Sequence, residues 1–248
     1  MFNATEAINT IVNNIREWFN VNGPSSSAVI GISGGKDSSV AAALLVRALG
    51  PDRVVGVMMP NGFQNDIDDS HRLVEALGIQ PKTVDIQAAY DGLLNQLDMY
   101  ATPDAKINLQ PRLRMAALYM VAQSLPGGGR VINTCNRSED YVGWATKFGD
   151  GAGDVSILGN LLVTEILAIG DQLKEIPNDL IHKTPSDGLC GASDEDKFGF
   201  SYAQLDDYIL EGTTGYSNID AKIDWMHKTS RHKYEPMYVC TEPTEGIY

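Results

Sequence analysis

One segment near the N-terminus constrains the fold more than any other. A short apolar run at residues 28–32 leads into the glycine turn Ser33-Gly34-Gly35, and a helical pattern follows over residues 38–49. This order predicts a strand, a loop and a helix in succession. Further short β-branched runs, separated by amphipathic sequence such as residues 66–77, follow at residues 54–59, 82–86 and 130–134. Alternating strands and helices predict an α/β fold, a doubly wound and mostly parallel sheet with helices on both faces.

The length and composition are those of one α/β domain. The chain has 248 residues, of which 43% are hydrophobic, so it can bury a full core, and we expect a single domain over residues 1–248. Apolar residues at helical spacing predict a first helix over residues 8–19. After Gly149, the sequence is rich in glycine and aspartate and loses its periodicity, which predicts long loops.

The charge and the cysteines exclude several classes of protein. A net charge of −13 repels phosphate backbones, so nucleic acid is not expected as a partner. No apolar run approaches the roughly 20 residues that span a bilayer, and the amphipathic N-terminus does not resemble a signal peptide, so no membrane association is expected. Cys135, Cys190 and Cys240 form no CxxC pair, which favours neither disulfides nor a zinc site and fits a cytoplasmic protein.

Ligands of such sheets bind beyond the carboxyl ends of the strands. The loops that follow Ile32, Met59 and Thr134 are therefore expected to share one crevice. The chemistry of the protein is expected in that crevice.

The turn after the first predicted strand is suited to an anion. Backbone N–H groups and the dipole of the following helix point into it, glycines let the backbone approach a ligand closely, and two serines add hydroxyl donors. It is not a Walker A loop, because Ile30 stands in place of the first glycine and Asp37 in place of the Ser/Thr. An ordinary turn would explain the glycines, but not two hydroxyls and a carboxylate together. The expected phosphate-binding residues are Gly31, Ile32, Ser33, Gly34, Gly35, Lys36, Asp37 and Ser38.

The stretch Ser33-Gly34-Gly35-Lys36-Asp37-Ser38 resembles the SGGxDS signature of the ATP pyrophosphatase family of adenylating ligases. The resemblance implies the adenine nucleotide alpha hydrolase-like fold. It also implies that the loop holds the β- and γ-phosphates of ATP, leaves the α-phosphate open to attack, and yields AMP and pyrophosphate. Asp37 would then hold Mg²⁺, a hard ion that favours carboxylate and phosphate oxygens.

A second segment indicates which adenylating ligases the chain resembles most. Residues 146–154 read Thr-Lys-Phe-Gly-Asp-Gly-Ala-Gly-Asp and resemble the TKFGDGxxD stretch of NAD synthetases. The likeness extends through residues 108–112, 183–189 and 201–208. It implies amidation of deamido-NAD to NAD with ATP and ammonia, through an adenylate. Because 248 residues leave no room for a glutamine amidotransferase domain, free ammonia or a separate partner is expected to supply the nitrogen.

The resemblance also implies roles for individual residues. Glu139 can complete a Mg²⁺ site with Asp37, because two carboxylates partly neutralise the cation. Thr134 and Ser186 are expected at ATP, and Asp150 is a candidate for steering ammonia or accepting its proton, beside Lys147 as a second catalytic residue. The residues expected at deamido-NAD are Arg112, Lys147, Asp154, His232 and Lys233.

The chain departs from the family pattern at two places. Many NAD synthetases carry a lysine that contacts ATP phosphate where this chain has Val163, so Lys36 or Lys183 would have to supply that charge. The family's C-terminal His-Lys-Arg appears here as His232-Lys233-Tyr234.

Two other functions stay open on the sequence. The chain could be another adenylating enzyme, such as a tRNA-modifying one, although the missing CxxC, the acidity and residues 147–151 disfavour it. It could also be a nucleotide-binding module that has lost catalysis.

The resemblance further implies a homodimer. Two apolar stripes either pack across a two-fold axis or face the chain's own core. One lies in the N-terminal helix, and the other consists of Leu113, Ala116, Ala117, Met120 and Val121.

Overall fold

The alternating apolar runs and helical stretches form a parallel sheet that is covered on both faces. The computed structural model describes residues 2–63, 67–183 and 193–239. Within these ranges, five strands lie in the order β3-β2-β1-β4-β5, and all neighbours are parallel. The predicted fold class is confirmed. The strands are β1 (Ser27–Gly31), β2 (Val54–Met58), β3 (Gln80–Thr83), β4 (Gly129–Asn133) and β5 (Val155–Ser156).

Helices connect the strands and continue after β5. The helices before β5 are α1 (Ala4–Asn22), α2 (Lys36–Leu49), α3 (Ile67–Leu77), α4 (Gln87–Gln96), α5 (Pro103–Ser124) and α6 (Arg137–Val142). Those after it are α7 (Val163–Gly170), α8 (Asn178–Ile181), α9 (Asp194–Phe198), α10 (Tyr202–Glu211) and α11 (Ser217–Ser230). None of these described helices is both long and apolar enough to cross a membrane.

The central strands are buried on both faces, which explains why they read as continuous apolar runs. Every residue of β2 is buried, and so are the three middle residues of β1. The predicted position of the third strand, residues 82–86, is wrong, because β3 covers Gln80–Thr83. All four residues of β3 are exposed at the sheet edge, so no apolar pattern marks its bounds.

The larger core lies between one face of the sheet and α1, α2, α3, α7 and α8. α2 is the centre of this layer, and its residues from Ser39 to Leu45 are fully buried. α1 packs over it through one apolar stripe, Ile8, Val12, Ile15 and Phe19. The apolar stripe of the N-terminal helix therefore faces the chain's own core.

The other face of the sheet is covered by α5, whose Met115, Leu118 and Ala122 pack against the strands. The stripe predicted on this helix is divided between two environments. Ala117 is buried, whereas Met120 is 57% exposed. The outer part of the stripe thus remains on the surface of the chain.

The prediction of long loops after Gly149 is wrong beyond Leu162, where five described helices follow. The shortest of them has 4 residues, too few for a helical period to be read from the sequence. Serine caps start two of them, Ser193 before α9 and Ser201 before α10. A third apolar cluster holds this region together, with Val142, Val163, Phe198, Phe200, Tyr202, Leu205 and Ile223 at its centre.

A buried carboxylate joins this region to the rest of the chain. Asp206 is 2% exposed. It accepts hydrogen bonds from the Ser138 hydroxyl and, at 2.8 Å, from the backbone N–H of Thr164 in the first turn of α7. Ser138 Oγ in turn accepts the N–H of Val163 at 3.0 Å. Asp206 therefore caps α7 and also fixes α6 against α10.

We expect Asp206→Ala to lower the free energy of unfolding by about 3 kcal/mol, because it leaves a buried hydroxyl and a helix N–H without their charged acceptor. Urea denaturation measures the difference. Its exposed neighbour Asp207 provides the matched control, and Asp207→Ala should change stability by less than about 0.5 kcal/mol. Equal losses in the two variants would contradict the capping role.

Candidate active site

A cavity of about 620 Å³ lies at the carboxyl ends of the strands. The loops after β1, β2 and β4 each line it, through Ile32, Met59 and Thr134. This is the predicted shared crevice, at the point where the chain leaves β1 between β2 and β4.

A second cavity of about 650 Å³ lies between α1 and β5. Its wall is largely apolar, with Phe2, Trp18, Val155 and Leu161 among its residues. Most of the residues predicted to bind ATP and metal line the first cavity instead, so we place the site there.

The phosphate loop is held by its own serines. Ser33 Oγ and Ser38 Oγ lie 3.1 Å apart, and the backbone N–H of Gly35 donates to Ser33 Oγ at 3.3 Å. Gly35 is the extended N-cap of the 14-residue helix α2. The positive end of the helix dipole therefore points at the cavity, where it favours an anion.

Gly34 is required for two separate reasons. Its φ of +74° lies in the left-handed region, and a Cβ atom placed there would lie 2.6 Å from Cβ of Asp69. Asp69 belongs to α3 and accepts a hydrogen bond from Lys183 Nζ at 2.8 Å. The loop is thus seated directly on α3.

The two predicted metal ligands are brought together, with a lysine between them. Lys36 Nζ donates to Asp37 Oδ2 at 2.8 Å and lies 4.0 Å from Glu139 Oε1. Asn136 Nδ2 donates to the other oxygen, Asp37 Oδ1, at 3.0 Å. Burial, followed by the charge of Asp37, raises the pKa of Glu139 well above its usual range. The pKa of Lys36 is also raised: burial lowers it, but Asp37 and Glu139 together outweigh burial.

The donor set fits a magnesium ion that arrives with other ligands. Asp37 and Glu139 offer carboxylate oxygens, which Mg²⁺ prefers, on the wall of a cavity that is large enough for phosphates. Among the described residues, no three His, Cys, Asp or Glu side chains are grouped so that they could hold a metal. A Mg²⁺ ion held here would take its remaining ligands from phosphates and water.

Lys233 and Asp150 organise the loop opposite the phosphate loop. Lys233 Nζ donates to the carbonyl oxygens of Gly143 and Ala145 at 2.7 and 2.9 Å. Asp150 Oδ1 accepts the backbone N–H of Thr146 at 2.9 Å. Both residues line the cavity, and desolvation raises the pKa of the Asp150 carboxyl, although the residue as a whole is exposed.

Three other predicted residues meet outside the cavity wall. Arg112 Nε donates to the carbonyl oxygen of Lys147 at 3.2 Å, and Lys147 Nζ donates to the carbonyl oxygen of His232. Arg112, Lys147 and His232, which we call the cationic cluster, are far apart in sequence but contiguous on the surface. Beside them, Phe148 is 68% exposed with a φ of 64°, the only positive φ at a non-glycine residue in the described ranges.

The remaining predicted residues lie in different surroundings. Thr134 lines the cavity. Asp154 accepts hydrogen bonds from Tyr119 Oη at 3.1 Å and from the Val131 N–H at 2.7 Å, so it ties the start of β5 to β4 and α5. Val163 is buried in the third apolar cluster. Ser186 lies outside the described residues.

Sequence reasoning missed several residues of the cavity wall, among them Arg114, Trp144, Asp194 and Lys197. Arg114 donates to the carbonyl oxygen of Met59 at 3.0 Å. It stands two positions after Arg112, and helical spacing could have placed the two side chains on different faces of α5. No local motif marks the other three.

Comparison with known proteins identifies the family. The family model described as NAD synthase matches residues 7–237. The chain belongs to the NAD synthase family. The NH(3)-dependent NAD(+) synthetase of Finegoldia magna is 40% identical to it over 210 residues, which cover 83% of this chain and 84% of that relative. The alternative of a tRNA-modifying enzyme is not favoured.

Solved structures of NAD synthase family members and their relatives share the fold. The NMN synthetase from Francisella tularensis superposes with a TM-score of 0.88 at 35% identity and covers 96% of this chain and 99% of its own. The NH3-dependent NAD synthetase from Campylobacter jejuni, in complex with the nitrate ion, gives a TM-score of 0.79 at 25% identity, with coverage of 97% and 100%.

We expect Gly34→Ala to weaken ATP binding by at least about tenfold, because the new methyl group lies 2.6 Å from Asp69 Cβ and pushes the phosphate loop away by about 1 Å. A loss of about 1.4 kcal/mol in contacts suffices for that factor. Isothermal titration with ATP measures it. Gly78→Ala is the control, since Gly78 has a φ of +62° but nothing within 4 Å. It imposes the backbone strain alone, and its ATP affinity should equal that of the unchanged protein.

Proposed function

We propose that the protein is an ammonia-dependent ligase that amidates deamido-NAD to NAD. The nicotinic-acid carboxylate attacks the α-phosphate of ATP, pyrophosphate leaves, and ammonia displaces AMP from the adenylate. The observation that carries this proposal is that the phosphate loop and the carboxylates of Asp37 and Glu139 meet in one cavity of an NAD synthase family member.

ATP fits the inner part of the cavity. The phosphate loop and the N-terminus of α2 receive the β- and γ-phosphates, and Thr134 lies at the end of β4, where it can donate to the nucleotide. Ser186 remains a predicted ATP contact. Asp37 and Glu139 would hold Mg²⁺, which screens the negative charge that develops between the phosphates.

The acid substrate is assigned to the outer part of the site. In the cationic cluster, Arg112 and Lys147 offer charges to a pyrophosphate and a carboxylate, and His232 remains a predicted contact. Lys233 supports this surface through the loop carbonyls that it binds, and Asp154 stays a predicted acceptor for substrate hydroxyls or amines.

Asp150 is suited to receive the proton that the attacking ammonia must lose. It lies on the cavity wall, and desolvation of the carboxyl raises its pKa. A carboxylate with a raised pKa is a stronger base than an ordinary aspartate, although it must still be deprotonated to act. Lys147 lies outside the cavity wall and remains a predicted second catalytic residue.

The proposal includes a homodimer. The cationic cluster, Phe148 and Met120 are exposed on one chain, and a dinucleotide that extends from the ATP cavity needs further surface to cover it. A single domain, ammonia as the nitrogen source and a cytoplasmic location complete the proposed description.

A second candidate product is NMN. The NMN synthetase of Francisella tularensis has a higher TM-score and a higher identity to this chain than the NAD synthetase of Campylobacter jejuni. The two reactions share the carboxylate chemistry and differ in whether the acid substrate is a mononucleotide or a dinucleotide.

We expect kcat/KM for deamido-NAD to exceed that for nicotinic acid mononucleotide by at least about tenfold, because the adenylyl half adds binding energy at the outer surface. Steady-state assays with each acid, under saturating ATP and ammonium, measure the ratio. The reverse preference would favour the NMN-forming reaction and leave the ligase chemistry intact.

Ammonium should support turnover far better than glutamine, and activity at fixed total ammonium should rise with pH, because more free NH₃ becomes available. When rates are expressed per free NH₃, they should fall as the pH drops through the raised pKa of Asp150, since the protonated carboxyl cannot accept a proton. AMP and NAD are quantified by chromatography. Glutamine-driven turnover by the pure chain would contradict the proposal.

Asp37→Ala and Glu139→Ala should each lower kcat by at least about 100-fold, because each removes a charge that would help to hold the cation at the phosphates. Asp37→Asn and Glu139→Gln preserve the shape of the side chains. They should lose about as much activity as the alanine variants and affect folding less. Glu211→Ala, at the exposed end of α10, is the control. Normal activity of either charge-removing variant would refute the shared site.

A further inference from the structure

Lys36 is a buried cation inside the phosphate loop. It is 6% exposed, although it lies on the wall of the cavity and begins α2. Lysine is among the residues that are least often fully buried without a partner. Its ammonium group is therefore expected to have partners within the loop and the cavity wall.

The ammonium lies between the two carboxylates that would hold the metal. Nζ is 2.8 Å from Asp37 Oδ2 and 4.0 Å from Glu139 Oε1. Two carboxylates on one cavity wall repel each other unless a positive charge stands between them. In the protein without ligands, that charge comes from Lys36.

The other side of the ammonium is covered by an aromatic ring. Nζ lies 5.3 Å from the centroid of Tyr202, within the range of a cation–π interaction. The Tyr202 hydroxyl donates to Asp194 Oδ2 at 3.1 Å, which fixes the ring. Lys36 is thus held in a prepared position and has a long stem that can turn toward the cavity.

A free divalent ion that approached Asp37 and Glu139 would meet this ammonium. Electrostatic repulsion at such short range opposes binding, and the metal would have to displace a hydrogen-bonded partner. ATP changes the balance, because its phosphates offer the ammonium new acceptors at the same time as they bring the metal.

We propose that Lys36 is an intrinsic cation of the ATP site. Its ammonium group competes with free divalent metal for the carboxylates of Asp37 and Glu139, and it moves to the phosphates of ATP when metal and nucleotide bind together. The proposal rests on the proposed function only for the identity of the nucleotide, and it requires binding but no turnover. It makes the binding of metal conditional on the binding of nucleotide.

Mn²⁺ serves as the probe, and electron paramagnetic resonance measures the concentration of the free ion. Without nucleotide, Lys36→Met should bind Mn²⁺ at least tenfold more tightly than the unchanged protein, because the competing charge is gone. The same variant should bind ATP, in the presence of Mn²⁺, at least tenfold more weakly. Lys36→Arg keeps the charge and should bind Mn²⁺ alone as weakly as the unchanged protein, and so should Lys228→Met at an exposed position of α11.

Equal Mn²⁺ affinities of Lys36→Met and the unchanged protein would overturn the proposal, and so would an unchanged affinity for ATP. If Lys36→Met does not fold, the unchanged protein and Lys36→Arg still decide. Tight Mn²⁺ binding by either one without nucleotide would overturn the proposal, whereas a loss of free Mn²⁺ that appears only with ATP and exceeds the loss caused by ATP alone would support it. Binding of Mn²⁺ and ATP without NAD formation would count against the proposed function and leave this role of Lys36 standing.

Discussion

The burial of α2 is the constraint on which the site depends. This helix is packed between the sheet and α1, and its residues from Ser39 to Leu45 have no exposed surface. A helix so enclosed cannot shift without opening the larger core. Its first turn and the backbone N–H groups of the phosphate loop therefore keep one position relative to the strand ends. Electrostatic groups that are fixed before the ligand arrives need no reorganisation when it binds.

The parts of the site that follow from local sequence and strand topology could be predicted. Gly34 and Asp37 belong to a contiguous motif, and the meeting of Asp37 with Glu139 follows from adjacent parallel strands that end at the same edge. Features that depend on distant packing were not accessible in the same way. Asp206 caps α7 and joins three helices through one carboxylate, which no local pattern indicates. Lys233 binds loop carbonyls, and its position in the sequence could not distinguish such bonds from a contact with substrate.

The inner and outer halves of the site differ in how they are built. The inner half rests on strands and on a buried helix, and its charges are paired with each other within the chain. The outer half consists of side chains that bind one another's backbone on the surface, as in the contact between Arg112 and Lys147. In the proposed function, the reaction at the α-phosphate takes place in the rigid half. The outer half would then determine the length of the acid substrate that is bound, and its surface side chains can change without disturbing the sheet.

Phe148, in the outer half of the site, has an unfavourable backbone conformation. A phenylalanine with a φ of 64° holds a backbone conformation that costs of order 1–3 kcal/mol. Its ring, 68% exposed, recovers little of that cost by burial in the single chain. The loop is consequently a place of local frustration, where the sequence does not favour the shape that it adopts. Selection for the stability of the single chain would disfavour such a residue, so the stability of that chain does not account for phenylalanine at this position.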